Sequence, residues 1–451
     1  MDIFRLPRDT EITLQLLDDF IGKHKQEVTN RYKKLYDAYI CDHEILHLKE
    51  KPSYKPDNRV AIGFPKYIVD TMNGFFIGNP IKIVADDEAV SDFVEYLDQY
   101  NDQDDNNAEL AKICSIYGRG YEMYYLNEDS ELCITYLNPM EAFMIFDDSI
   151  LERPMFFVRR YTDYNGDEYG SISDGNYVRN FKVTGGTKWT DEWKAHHFDG
   201  VPATEYVENA ERQGIFEPVM SQINAFNKAI SEKANDVDYF ADAYLKVLGT
   251  KLENDDVAHI RDNRIINFDG DGDSKPEVDF MGKPESDTTQ ENLLNRLERL
   301  IFQISMVANI SDENFGASSG VALKYKLQAM SNLEKTKERK FSSGMNRRYK
   351  LLFSHPLSKV PKDAWVKLKY VFSPNIPANL LEEADIASKL EGITSHATQL
   401  KVISAVDNVE EELKKIEDEN KVPDRTVVDR MMFGNSEQVE EPEEGLTEGA
   451  E

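Results

Sequence analysis

The stretch FEPVMSQINAFNKAISEKANDVDYFADAYLKVLG, residues 216–249, limits what this 451-residue chain can fold into more than any other. Apolar or small side chains recur at Phe216, Val219, Ile223, Phe226, Ile230, Ala234, Val237, Ala241, Leu245 and Leu248. That is the alternating three-and-four spacing of one helix face. Kept for about nine turns, it predicts a helix on the order of 50 Å long, where an average globular helix has roughly three turns. Gly249 stands where a C-terminal cap belongs. One apolar stripe of that length cannot be buried inside a small monomeric module, so it calls for neighbours.

Two further long helices follow. TTQENLLNRLERLIFQISMVANI puts Leu293, Leu297, Leu300, Ile304 and Val307 on one face, and Val321 to Phe353 reads as a third helix. Between the first two lies a small mixed module with RIINF, DGDGDSKPE and EVDFM; between the second and third lies the loop SDENFGASSG, Ser311–Gly320. Upstream, residues 10 to 40 read as an amphipathic helix, and Pro52 and Pro56 mark a break. A helix around Ile68 and Met72, a short strand from Ile81 and a helix from Ala89 to Gln99 come next. From Ile116 to Val183 the β-branched and aromatic runs YEMYYL, LCITYL, AFMIF and MFFVRRY, divided by turn residues, predict strands. WVKLKYVF reads as a late strand, helices are expected between Leu380 and Met432, and the acidic tail from Asn435 reads as disordered and solvated. The fold class is α+β.

A formal charge of −30 argues against a chain that grips nucleic acid over its whole surface, because tight phosphate binding needs a dense positive surface. It is compatible with letting nucleic acid slide past. Cys41, Cys114 and Cys133 are too few and too scattered for a disulfide framework, which points to a reducing interior. The first residues, MDIFRLPRDTEITLQ, lack the apolar run of a signal peptide, and the longest apolar run, LIFQISMVANI, is about half a membrane span. A soluble intracellular protein without a membrane partner is expected.

Several short motifs invite a catalytic or ligand-binding reading. His43, Glu44 and His47 follow the H-E-x-x-H order of zinc proteases, in which two histidines on one helix face hold the metal and the glutamate activates water. Pro52 leaves barely two turns of helix, and no third ligand is evident, so the stretch reads as a polar surface turn; a zinc metalloprotease is the alternative. Asp269, Asp271 and Asp273 have the first spacings of a calcium loop, but Ser274 and Phe280 occupy the positions that require glycine and glutamate. GASSGVALK lacks the Lys-Ser or Lys-Thr of a phosphate loop and follows a helix. No metal, cofactor or catalytic residue is therefore assigned. The third long helix is basic: Lys324, Lys326, Lys335, Lys337, Arg339, Lys340, Arg347, Arg348 and Lys350 stand against Glu334 and Glu338. Such a face either balances acidic neighbours or lies near a polyanion.

Long helix, small module, long helix, Gly-Ser loop, long helix: this order resembles the portal proteins of tailed bacteriophages, in the branch typical of long-tailed phages of Gram-positive bacteria. DHEIL with NRVAIGFPKYIVDTMNGFFIGNPI, YGRGYEMYYLNEDSELCITYLNPMEAFMIFDDS, and the run from VPATEYVENAERQGIFEP into the first long helix carry the resemblance, which holds in order from about residue 30 to 375. It implies a ring, usually of twelve subunits, at one capsid vertex, through which double-stranded DNA is packaged and ejected. By segment, it implies an N-terminal helical region (1–49), a wing (50–215, with the returning strand 365–373), stem helices (216–248 and 287–310) and a clip (249–286). A tunnel loop (311–320), a long channel helix (within 321–376), a crown (377–433) and a tail (434–451) complete it. The tunnel loop would offer Ser311, Asp312, Glu313, Asn314, Phe315, Gly316, Ser318, Ser319 and Gly320, with Lys324 and Lys326 as transient phosphate contacts. Implied partners are the packaging ATPase (terminase), the major capsid and scaffolding proteins and a head-completion adaptor. The implied location is the virion, after assembly in the host cytoplasm. An acidic helical scaffold or adaptor that oligomerises without enclosing DNA is the other alternative.

Overall fold

The computed structural model describes residues 3–420 apart from 53–54, 242–244, 249–276, 281–286, 311–319, 376–379, 404 and 407. The chain divides into two units, Met1–Asn375 and Ile376–Glu451.

The first unit opens with β1 (Phe4–Leu6) and a helix in two parts, α1 (Leu14–Glu27) and α2 (Lys33–Tyr39), joined by a π-turn over Val28–Tyr32. Thr13 caps α1 by accepting the Leu16 N–H at 3.2 Å. Then come α3 (Phe64–Ile77), β2 (Lys82–Val84), α4 (Glu88–Tyr100) and α5 (Gln103–Tyr117). The strands follow: β3 (Arg119–Leu126), β4 (Leu132–Leu137), β5 (Ala142–Asp147), β6 (Pro154–Thr162), β7 (Glu168–Ser173), β8 (Tyr177–Lys182), β9 (Lys188–Trp189), β10 (Lys194–Ala195) and β11 (Ala203–Val207). One sheet runs β1-β5-β6-β7-β8-β10 with β9 also on β8; a second runs β11-β3-β4.

AFMIF in β5 is apolar at every position because both of its faces are covered. Phe143 and Ile145 join Phe156, Val158, Ile172 and Phe181 under Leu17, Phe20 and Ile21 of α1. Met144 and Phe146 point the other way, toward Tyr121, Phe157 and Ala203. β1 pairs in parallel with β5, Phe4 opposite Ile145. β1 and α1 are thus packed on this sheet, while Tyr32, Leu35 and Ala38 join the separate core cluster of α3 and α5. Inside α1 the buried His24 donates from Nε2 to the Pro139 carbonyl at 2.7 Å and accepts from Arg160 at 3.0 Å through Nδ1. Burial, with the Arg160 charge, pushes this imidazole down to about 3, so it stays neutral and fixed in one tautomer.

The long helices are α6 (Met220–Ala241), α7 (Asp287–Ser305) and α8 (Gly320–Ser354). The stripe that predicts helix to Leu248 runs past the helix end: Leu245–Leu248 is a strand, β12, paired antiparallel with β13 (Glu277–Phe280), Leu245 opposite Phe280. A run as short as LKVL fits helix and strand spacing equally, and the pairing partner decides. The second helix likewise stops short of Ile310, with Met306 in the left-handed region at φ +62°. In the expected strand 365–373, residues Ala364–Lys367 form a 3-10 turn and only Lys369–Val371 (β14) pairs, antiparallel to β2. α5 has no counterpart in the sequence reading. Its polar residues Gln103, Asn107 and Ser115 are buried beside Leu110, Ile113 and Ile116, so it shows no contrast between a wet and a dry face. The second unit holds α9 (Leu380–Lys389), α10 (His396–Leu400) and α11 (Val409–Asn420).

Candidate functional site

The three long helices of the first unit are each held by polar groups. On α6, Asn227, Ser231 and Asn235 stand four residues apart. Their side-chain oxygens accept backbone N–H groups from the extended segment before α3: Ile62 to Asn227 at 3.0 Å, Val60 to Ser231 at 2.9 Å and Asn58 to Asn235 at 2.6 Å. The match is geometric. Four helix residues advance about 6.0 Å and two extended residues about 6.6 Å, so every second amide of the segment meets every fourth residue of the helix. At the start of α6, Arg31 of the π-turn makes a two-pronged contact with Glu217 at 2.8 and 2.6 Å and also donates to the carbonyls of Tyr117 and Arg212. Gly118, at φ +83°, is required there, since a Cβ would lie 2.0 Å from the Arg212 oxygen. α7 lies along α6 through a Lys233–Glu291 ion pair and a Gln290–Asp236 hydrogen bond of 2.8 Å.

α7 buries Leu294, Ile301 and Ser305 inside the chain. Along the predicted stripe, Leu293 is 50% and Ile304 43% exposed, Leu297 and Leu300 are half-buried, and Val307 is buried. The stripe thus joins the core through Val307 and Leu297 and is open at Leu293 and Ile304, beside a second buried pair, Leu294 and Ile301. Val237 of α6 is open as well, at 56%.

α8 is joined to the β-rich module by two buried ion pairs three turns apart. Lys337 meets Glu208 at 2.5 Å and donates to Ser115 Oγ at 2.8 Å. Arg348, fully buried, grips Glu122 of β3 through Nε and Nη2, both at 2.8 Å, and reaches Asn107 of α5 at 2.6 Å. Glu122 also accepts from Tyr124 at 2.8 Å, Tyr206 at 3.1 Å and Gln103 at 3.2 Å. Gly344 on the same helix lets the Tyr206 ring approach: a Cβ there would sit 2.4 Å from it.

The basic composition of α8 therefore has two meanings. Lys335 pairs with Glu334 and Glu338, Lys337 and Arg348 are buried in ion pairs, and Arg347 donates to the carbonyls of Ala203 and Val201. Lys337 and Arg348 thus balance buried acids, Arg347 serves two carbonyls, and Lys335 pairs with its own helix at the surface. Lys326 and Arg339 are exposed. Lys324 lies in the second turn of α8, and Gly320 is the first residue of the helix. Ser311, Asp312, Glu313, Asn314, Phe315, Gly316, Ser318 and Ser319, like Asp269, Asp271 and Asp273, fall outside the described residues.

The H-E-x-x-H stretch is not an α-helix. His43 precedes a 3-10 turn, Glu44–His47, and its buried ring, held to the Ile62 backbone, is pushed below the ordinary histidine range by desolvation. His47 is exposed and lies 2.6 Å from Asp42. The two imidazoles serve separate partners, and among the described residues no three His, Cys, Asp or Glu side chains are placed to share a metal ion. No described helix is long and apolar enough to cross a membrane.

What this geometry defines is a class of structural subunit: a β-rich module clamped on long helices that keep an apolar face open. Residues 18–423 match the family described as "Phage portal protein, SPP1 Gp6-like", and the chain belongs to that family. It is similar to the portal protein of Clostridium phage phiCD119, 24% identical over 414 residues that cover 84% of this chain and 89% of that one. It is similar also to the portal protein of Bacillus phage SPP1, 22% identical over 420 residues, with 84% and 82% covered.

Proposed function

We propose that this chain is the portal subunit of a tailed phage of Gram-positive bacteria. It assembles as a ring, usually of twelve copies, at one capsid vertex and forms the channel through which double-stranded DNA is packaged and later ejected. The observation that carries the reading is the family match over nearly the whole chain. The open apolar faces at Val237, Leu293 and Ile304 support the ring, because a repeated heterologous contact between copies would cover them. The charge supports the channel: twelve copies at −30 each give roughly −360 before counterions, which disfavours sticking of DNA during translocation.

In this reading the ring docks the packaging ATPase through residues 249–286, then a head-completion protein, and meets the major capsid and scaffolding proteins. The chain itself is not an enzyme. Its place is the virion, after assembly in the host cytoplasm. Native mass spectrometry with negative-stain images of the purified protein tests the ring. A closed annulus of about twelve chains is expected; purified protein that stays monomeric even with capsid and scaffolding proteins present would overturn it.

Residues 311–320 form the collar that narrows the bore, and Lys324 and Lys326 touch phosphates in passing. Reversing both charges (Lys324→Glu with Lys326→Glu) is expected to change the packaging rate and flatten its salt dependence. A packaging assay with both quantities unchanged would remove these lysines from the DNA path.

A further inference from the structure

Tyr96 and Tyr100, one turn apart on the open side of α4, stack with ring centres 5.6 Å apart. The Tyr96 hydroxyl donates to Glu131 at 2.7 Å, and the Tyr100 hydroxyl accepts from Asn127 at 2.8 Å, so both rings are tied to the turn between β3 and β4. Tyr125 and Leu126 end β3 at that turn. Tyr125 stands opposite Cys133 on β4, and burial, Cys133 and Tyr100 together push its phenol up. Tyr96, Tyr100 and Tyr125 are each 42% exposed and Leu126 is 37% exposed.

Two properties of this aromatic platform select what covers it. Its rings are already held by hydrogen bonds between two elements, so a partner loses little by ordering them, and each presents an apolar face with its polar tip engaged. The second property is charge. Residues 85–152 carry eighteen acidic side chains against two basic ones, Lys112 and Arg119. Both of these are engaged: Lys112 pairs with Glu109, and the buried Arg119 lies between Glu27 and Glu205. Asp92 and Glu95, just before Tyr96, and Glu128 and Asp129, just after Asn127, are all exposed. Arg159 reaches Tyr125 electrostatically but lies over the Tyr161 ring at 5.0 Å. Open tyrosine faces in an acidic field attract a cation twice, through the ring quadrupole and through the carboxylates.

We propose that this platform docks a lysine- or arginine-bearing segment of a protein other than this chain, with its cations over the tyrosine rings and its apolar side chains on Leu126. Charge complementarity decides the occupant. Nucleic acid would be repelled by the same carboxylates. Another copy is a poor source of cations, because the basic helix α8 spends Lys335, Lys337, Arg347 and Arg348 on partners within its own chain. The inference does not rest on the channel reading.

The test is a titration of full-length protein with a fluorescein-labelled dodecapeptide of alternating lysine and leucine, read by anisotropy. Physiological salt screens loose attraction to a chain of this net charge. Saturable binding at one site per chain is expected. Tyr100→Ser with Tyr125→Thr should weaken it about tenfold, and so should Glu128→Gln with Asp129→Asn. Tyr164→Ser, at a side chain 97% exposed on the turn between β6 and β7, should leave it unchanged. The substituted side chains lie at the surface, so melting temperatures should match the parent, which separates lost binding from lost folding. Affinity unchanged in both double variants, or no saturable binding by the parent protein, would overturn the proposal. Equal weakening by Tyr164→Ser would do the same, since the attraction would then be diffuse. So would self-association of the parent that the tyrosine variant abolishes, since the occupant would then be a second copy.

Discussion

Glu122→Gln is expected to destabilise the first unit by about 3–5 kcal/mol. The reason lies in what the substitution leaves behind. Arg348 is completely buried, and burial alone would drive its guanidinium toward the neutral form; the Glu122 carboxylate beside it more than offsets this and holds it charged. Glutamine keeps the shape and removes the charge, so a buried cation is left without its counter-ion. Three further donors, on Tyr124, Tyr206 and Gln103, converge on the same carboxylate and would be weakened together. Replacing both partners, Glu122→Met with Arg348→Met, should recover part of the loss, because no unpaired charge then remains. It should not recover all of it: Tyr124 keeps Thr204 as a partner at 2.8 Å, whereas Tyr206 has no second acceptor among the described residues. Denaturant midpoints at unchanged slope measure both. A single variant within about 0.5 kcal/mol of the parent would show that the network does not hold α8 in place.

How much of this could be read from the sequence depends on the range of each interaction. The start of α6 was legible because Val219, Ile223 and Phe226 are buried at helical spacing and nothing else competes for them. The strand run from YEMYYL onward was legible because turn residues divide it. α7 shows the limit of periodicity. LLNRLERLIF has two apolar stripes, and their spacing does not say which one is inside; the chain packs Leu294 and Ile301 and leaves Leu293 and Ile304 open. α5 gave no signal because its buried face carries amide and hydroxyl groups whose partners are far away in sequence. The ion pair of Arg348 with Glu122 spans 226 positions, and that of Lys337 with Glu208 spans 129. Composition could flag α8 as basic, but it could not separate the charges spent inside from those left on the surface. The left-handed backbone at Lys359 has no signature in the sequence, since lysine does not favour it, and histidine's preference at His197 is too weak to place it.

The second large effect concerns the seam between α6 and the segment before α3. Replacing Asn227, Ser231 and Asn235 together by alanine is expected to cost roughly 3–6 kcal/mol, because three backbone N–H groups lose their acceptors at once and each unmet donor costs about 1–3 kcal/mol. Water can reach part of this seam, as Asn58, Val60 and Ile62 are half-buried, so the total falls short of three full penalties. A more specific outcome follows from the register. Only every second amide of the extended segment faces the helix, so residue-resolved hydrogen exchange should show Asn58, Val60 and Ile62 protected in the parent and released in the variant. The amides of Arg59 and Ala61 should change little. Uniform loss of protection over 58–62 would mean that the segment is held by its side chains, with the Arg59–Asp57 ion pair as the leading contact. The alternating pattern would mean that the polar rail of α6 holds it. In that case the long helix is fixed along one side by a strand-like partner, and Val237 is left open.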